Sequence, residues 1–207
     1  NLRNKLTVEM SGNSNGNTTL LDFAGGVGAT SSQLIQSTTS GGGNTTATLN
    51  ISGDDNAYGI TQLGGNNTVG TISISGSSNQ VGAYQNGTGN EISVADIAGS
   101  GNNIGFQQLG TDNLVSAIVT GDTNAFATYQ DGGSNAMDLT VTGNFNGGYN
   151  TFGSNTAGAL GLTAGYEITG SQTAITSGNQ VAVLQTGNSN NADFTQSGAG
   201  NSLGITQ

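Results

Sequence analysis

The stretch QTGNSNNADFTQSGAGNSLGITQ, residues 185–207, repeats one short pattern every eleven residues. The motif Q-x-G-x-x-N begins at Gln185 and again at Gln196, and another eleven residues lead to Gln207. After each motif Asn, the residues at +2, +4 and +6 are Ala, Phe and Gln, and then Leu, Ile and Gln. A period of two over about five residues, followed by a Gly/Asn/Ser turn, predicts a strand-turn-strand unit.

The composition favours a repetitive β structure with a thin core. Hydrophobic residues are 32% and charged residues only 7% of the 207-residue chain. Disordered chains are usually rich in charge or proline, whereas this chain has no Pro and its apolar residues recur periodically.

The charge and residue types exclude several function classes. Arg3 and Lys5 are the only basic residues against twelve acidic ones, a net charge of −10. Nucleic-acid binding and electrostatic docking on anionic membranes both need a basic surface, and no apolar run approaches the roughly 20 residues of a membrane-spanning helix. The absence of Cys and His removes the usual zinc ligands and the commonest general base. Because the chain begins at Asn1 without Met, we interpret it as a mature fragment.

Two interleaved families of strands run through the middle of the chain. The first family begins at Asn56, Asn79, Asn102 and Asn124, and the second at Asn44, Asn67, Asn90, Asn113 and Asn135. Successive members of a family are 23 residues apart at first and then 22. In the 23-residue copies of the second family the last two apolar positions move from +4 and +6 to +5 and +7. This shift predicts one inserted residue just after +2, as a β-bulge that restores the inward phase.

A period near 22 predicts an all-β fold, a cross-β β-solenoid of either hand with two strands per rung and about nine rungs. Stacked rungs place equivalent residues in columns about 4.8 Å apart, and a column of amides satisfies its own hydrogen bonds. The predicted Gln ladder comprises Gln62, Gln85, Gln108, Gln130, Gln185, Gln196 and Gln207. The predicted Asn ladder comprises Asn56, Asn67, Asn79, Asn90, Asn102, Asn113, Asn124, Asn135, Asn179, Asn190 and Asn201. The predicted turn glycines are Gly64, Gly87, Gly110, Gly132, Gly187 and Gly198.

We divide the single solenoid domain, residues 1–207, by the quality of its repeats. Residues 1–43 form irregular N-terminal rungs, 44–145 regular repeats, 146–178 a degenerate repeat or insertion, and 179–207 regular C-terminal repeats. From Asn146 to Asn179 is 33 residues, or three steps of eleven, which allows the rung count to be kept.

The motif Q-x-G-x-x-N-x-A-x-x-x-Q, read from Gln185 to Gln196, resembles the curlin repeat of curli functional amyloids. The resemblance covers about residues 44–145 and 179–207. It implies a secreted, extracellular β-solenoid subunit that stacks end to end into biofilm fibres. It also implies two partners, a nucleator subunit and an outer-membrane secretion pore. In most copies the second strand ends in Ile, Val or Leu where the family has its second Gln.

The sequence gives weaker support for an active site, a calcium site or an ice-binding surface. We expect the acidic residues Asp54, Asp55, Asp112, Asp122 and Asp131 to lie in turns on different rungs, as solvated groups. They form no set of nucleophile, base and orienting group, so we expect no enzyme and no cofactor. A structural calcium ion at 53–56 stays an alternative. Ice binding needs a flat row of Thr, and we expect the outward residues Thr71, Ser73, Thr140 and Thr142 not to share one repeated column.

The predicted function is a homopolymer that adheres cells in a biofilm matrix. The chain reaches Gln207 as the last inward position of a strand, and such an uncapped rung offers free N–H and C=O groups to another copy. We therefore expect loss of residues 197–207 to impair polymerisation. The alternative is a monomeric solenoid adhesin or stalk that binds a surface or carbohydrate.

Overall fold

The structure, a computed structural model, describes residues 4–15, 33–37, 42–143, 180–197 and 202–206. These residues form fourteen β-strands and, within those ranges, no helix. Accordingly, nothing in the described part of the chain has the helical length and apolarity needed to span a membrane. The all-β class predicted from the sequence is confirmed.

The strands alternate along the chain between two parallel sheets of seven strands each. Sheet A consists of β1 (Lys5–Ser11), β3 (Thr45–Ser52), β5 (Thr68–Ser75), β7 (Glu91–Ala98), β9 (Leu114–Thr120), β11 (Ala136–Thr142) and β13 (Asn191–Ser197), in that order. Sheet B consists of β2 (Gln33–Ser37), β4 (Ala57–Gly65), β6 (Gln80–Thr88), β8 (Asn103–Thr111), β10 (Ala125–Gly133), β12 (Gln180–Asn188) and β14 (Ser202–Thr206).

Each strand pairs with the equivalent strand one turn away, which makes the fold a β-solenoid as predicted. Four complete turns, from β3 to β10, follow one another without a gap in the described residues. The expected nine rungs are not confirmed, because each sheet has seven strands in the described ranges.

The inserted residue predicted in sheet A is present as a bulge. The register between β7 and β9 shifts between Ile92 and Val94, which leaves Ser93 as the extra residue. A second shift separates β1 from β3, between Leu6 and Val8. The strands β3, β5 and β7 all carry the extra residue and pair without a shift. The bulged strands are therefore a block inside sheet A, with bulge-free strands on both sides.

The core lies between the two sheets and is built from alternate residues of each strand. Ile72 and Ile74 of β5 and Val81 and Ala83 of β6 are each at most 2% exposed. Because equivalent positions stack, each core position continues as a column through the neighbouring turns. Removal of these columns from water is the main term that stabilises such a stack.

The stack passes directly from the fifth to the sixth strand of sheet B and from the sixth to the seventh strand of sheet A. Gln130 of β10 pairs with Gln185 of β12, and Ala136 of β11 pairs with Asn191 of β13. β12 and β13 therefore stack directly on β10 and β11. The segment 146–178 itself lies outside the described residues.

Candidate self-assembly site

Buried glutamines form a continuous column on the inner side of sheet B. Nε2 of Gln62 donates to Oε1 of Gln85, Gln85 to Gln108, and Gln108 to Gln130, each at 2.9 Å. The second Nε2 hydrogen goes to a backbone carbonyl at the start of a sheet A strand, for example from Gln85 to Thr68 at 3.1 Å. All four side chains are 0% exposed. The column thus satisfies its own amides and also ties the two sheets together.

An asparagine stands at each corner where the chain passes between the sheets. The backbone N–H of Asn90 donates to Oδ1 of Asn67 at 3.2 Å, and Nδ2 of Asn90 donates to the same oxygen at 3.1 Å. Nδ2 of Asn90 also donates to the carbonyl of Gly110 in the following turn, at 3.0 Å. The opposite corner repeats this arrangement, with Asn79 donating to Oδ1 of Asn56. Asn90 and Asn79 therefore each link three successive turns.

The corner glycines are required by both backbone angle and space. Gly110 has φ of 99°, a conformation that L side chains rarely adopt. A Cβ on Gly110 would overlap the carbonyl oxygen of Gly132 in the next turn. The residue before the corner asparagine is also left-handed, as at Asp112 with φ of 55°. In Q-x-G-x-x-N, the Gln side chain lies in the core and the Gly adopts the left-handed backbone conformation of the corner. The Asn forms hydrogen bonds to the neighbouring turns.

The predicted Gln ladder belongs to two different columns. Gln185 pairs in register with Gln130 and continues the glutamine column. Gln196 instead pairs with Val141 in sheet A, so its assignment to that ladder is wrong. The reason is topological, because each eleven-residue step crosses to the other sheet and only every second step returns to the same column. Outside the described residues lie the predicted members Gln207, Asn179, Asn201 and Gly198.

The predicted Asn ladder is likewise two ladders, one at each corner. One comprises Asn67, Asn90, Asn113, Asn135 and Asn190, and the other Asn56, Asn79, Asn102 and Asn124. At the first of these corners the predicted turn glycines Gly64, Gly87, Gly110, Gly132 and Gly187 all have φ between 99° and 138°.

The predicted ladders did not include the members of these columns in the first turn. The backbone N–H of Asn44 donates to Oδ1 of Asn4 at 2.9 Å, and that of Asn56 donates to Oδ1 of Asn15 at 3.0 Å. Gln36 heads the glutamine column through a 2.7 Å bond from its Nε2 to Oε1 of Gln62. The signal for Asn4 was present, because apolar residues stand at +2, +4 and +6 after it.

A further column of side-chain oxygens follows the glycines at the second corner. The backbone N–H of Asn13 donates to Oδ1 of Asp54 at 2.7 Å, and the N–H of Asp54 donates to Oγ of Ser77 at 3.2 Å. The N–H of Ser77 donates to Oγ of Ser100 at 3.2 Å, and that of Ser100 donates to Oδ1 of Asp122 at 2.8 Å. The carboxylates of Asp54 and Asp122 therefore accept structural hydrogen bonds.

The acidic residues do not converge on one point in the described part of the chain. Asp55 and Asp112 are exposed at corners, as predicted, but Asp131 lies inside β10, so its assignment to a turn is wrong. Strand β10 continues three residues past Gln130 and includes the corner glycine Gly132. Within the described ranges, no group of three or more His, Cys, Asp or Glu could hold a metal ion.

The four outward residues Thr71, Ser73, Thr140 and Thr142 do not share one column, as predicted, because Thr71 and Thr142 lie in columns other than that of Ser73 and Thr140. One column on the outer face of sheet A is nevertheless rich in hydroxyl groups. Its members are Ser11, Ser52, Ser75, Ala98, Thr120, Thr142 and Ser197. Only two members are Thr, so the column is not the row of threonines that ice binding requires.

The two ends of the stack differ chemically from one another. Sheet A ends in β1 and β13, and sheet B ends in β2 and β14, among the described strands. The ladders point in one direction, since the backbone N–H of each corner asparagine donates to Oδ1 of the asparagine one turn earlier. Edge strands of this kind are templates for pairing with another chain, which makes the two ends the candidate self-assembly site.

Comparison with known families agrees with the repeat pattern. Residues 177–207 match a family model described as the curlin associated repeat. No match was found among curated proteins, and none was found among solved structures. The matched stretch contains β12, β13 and β14, and the first two of these pair in register with β10 and β11. The curlin-repeat strands therefore share their columns with the rest of the solenoid.

Proposed function

We propose that this chain is a structural subunit of an extracellular, curli-type amyloid-like fibre that grows by stacking the ends of its solenoid. The curlin-repeat match and the solenoid fold both point to a structural protein, and the repeat family is associated with extracellular curli fibres. In this setting the fibre serves biofilm matrix and adhesion. Its partners are further copies of the chain, a nucleator subunit and an outer-membrane secretion pore.

The observation that carries the proposal is the one-way repetition of the amide ladders. The contact from Gln85 to Gln108 has the same atoms and the same 2.9 Å length as that from Gln108 to Gln130. A structure in which every turn repeats the same bonds to the next turn can be extended by another copy without a new type of contact. Heterologous contacts of this kind do not close and give polymers of indefinite length.

The test is fibre formation by the purified 207-residue chain. We expect negative-stain fibres many subunits long and a fibre-diffraction reflection at about 4.8 Å. We also expect a chain lacking residues 197–207 to elongate preformed seeds more slowly than the full chain. A chain that stays monomeric at high concentration and gives no such reflection would overturn the proposal.

A monomeric surface-binding rod is the second candidate. It is favoured by the exposed hydroxyl column of sheet A, in which Ser52, Ser75, Thr120 and Thr142 are all exposed. For this function, the same images would show discrete rods at every concentration.

A further inference from the structure

We propose that consecutive copies meet in a single register, with β1 of one copy stacked on β13 of the copy before it. In this register Asn4 of one copy and Asn190 of the other occupy the same corner column. Lys5 then lies over Asn191, Glu9 over Thr195 and Ser11 over Ser197. The inference rests on the proposed fibre and specifies the contact between its subunits.

Strand length and the bulge support this register. The terminal strands β1 and β13 have seven residues each, whereas the bulged strands β3, β5 and β7 have eight. A bulged strand stacked on a bulge-free one forces a register shift, as β1 and β3 show. Because both terminal strands of sheet A are bulge-free, they stack without a shift, and inward positions stay inward along the whole strand.

The polarity of the asparagine ladder selects one orientation of the second copy. From Asn4 to Asn190, each backbone N–H donates to the side-chain oxygen of the asparagine one turn earlier. A second copy placed with its β1 after β13 continues this relation, because the N–H of its Asn4 faces Oδ1 of Asn190. A copy placed end to end in the opposite sense brings like groups together and gains no such bonds.

The two ends also differ in charge. Lys5 and Glu9 are both exposed on β1, and at the other end Asp138 and Asp193 are exposed neighbours in one column. In the proposed register Asp193 lies diagonally to both Lys5 and Glu9 of the next copy, each at roughly 8 Å between Cα atoms. The attraction of Lys5 is therefore offset by the repulsion of Glu9, so the register rests on the strand lengths and the asparagine ladder.

Engineered cysteines test the register, since the chain has no Cys of its own. The pair Glu9→Cys with Thr195→Cys changes two exposed residues and places the cysteines about 4.8 Å apart across the contact, within the range of a disulfide. The control pair Glu9→Cys with Asp193→Cys is two residues out of register, roughly 8 Å apart and too far for a disulfide. Within one copy β1 and β13 are six strand spacings apart, about 29 Å, so any disulfide joins two copies.

We expect oxidised fibres of the first pair to give a ladder of covalent oligomers on denaturing gels, at least about tenfold more than the control pair. Fibres that form but link equally well in the control pair, or not at all in the first pair, would overturn the register and leave the fibre function intact. Failure of the unmodified chain to form fibres would overturn both.

Discussion

Each sheet has a column of buried side chains two residues before its corner glycines. The two columns occupy equivalent positions but differ in chemistry. In sheet B a buried Gln stands two residues before the corner glycine, as Gln108 does before Gly110. In sheet A the same place is apolar, as with Ile97 before Gly99. Gln108 is 0% and Ile97 1% exposed. Both corners therefore require Gly and Asn, whereas the residue two positions before the corner glycine can be polar or apolar.

The two columns differ in how strongly each side chain depends on the residues above and below it in the same column. An isoleucine is satisfied by any apolar contact, so this column varies in residue type. It contains Met10, Ile51, Ile74, Ile97, Val119 and Val141 before it reaches Gln196 in β13. A buried amide needs a donor and an acceptor in register above and below. The Gln column is therefore interdependent, and the apolar column is not.

Replacement of one glutamine tests this difference, and we expect it to have the largest effect on stability. Gln108→Leu removes the acceptor of Gln85 and the donors to Gln130 and to the Glu91 carbonyl. With three buried polar groups left unsatisfied, we expect the free energy of unfolding to fall by about 3–5 kcal/mol, measured by urea denaturation of the monomeric chain. Ile97→Leu, the matched control in sheet A, should cost less than about 1.5 kcal/mol.

Replacement of all four glutamines tests whether the column is cooperative. A variant with Leu at Gln62, Gln85, Gln108 and Gln130 still leaves four backbone carbonyls without their amide donors, but both partners of each Gln–Gln bond between these four residues become apolar. We expect its total loss to be well below four times that of Gln108→Leu. A loss that is additive over the four sites would show that the ladder is not cooperative.

Replacement of a corner glycine should have the next largest effect on stability. It tests a feature that the corners of both sheets share. Gly110→Ala forces a left-handed backbone on a residue with a side chain and pushes a Cβ into the Gly132 carbonyl. We expect a loss of more than about 2 kcal/mol in the same denaturation experiment. Gly105→Ala is the control, because Gly105 of β8 lies in register with Ala127 of β10, so the next turn already has an alanine at this position. Equal losses would show that stacking space at the corner is not limiting.

The sequence predicted the repeating unit because its corners leave little choice. Gly and Asn recur at fixed distances wherever a corner occurs, and the shift of apolar positions after Asn90 located the bulge that the structure has at Ser93. Such signals are local, since each depends on a few consecutive residues. The buried Asn and Gln ladders and the solenoid followed from them.

What the sequence did not predict depends on contacts between distant turns. An eleven-residue step does not say which sheet a strand enters, so Gln196 was placed in the wrong column. Gln36 was missed because eight residues, rather than five, separate it from Asn44. The carboxylate of Asp54 looks solvated in the sequence, and only stacking reveals that it accepts the N–H of Asn13.

The smallest expected effect comes from the left-handed residue before each corner asparagine, and it compares the two corners directly. Thr123 has φ of 57°, a conformation that a β-branched residue adopts only under strain. Gly101 occupies the equivalent place one turn earlier, so glycine fits this corner. We expect Thr123→Gly to raise the free energy of unfolding by roughly 0.5–1 kcal/mol, because relief of strain exceeds the added freedom of the unfolded chain.

Ser134, with φ of 57° at the other corner, is the matched case. Serine is not β-branched, so it is strained less than threonine, and Ser134→Gly should change stability by less than about 0.5 kcal/mol. If both variants were destabilised equally, backbone strain would not distinguish the corners. The loss of stability at Thr123 would then have to come from a weakened contact with its neighbours, such as the 2.8 Å bond from its N–H to the Ser100 carbonyl.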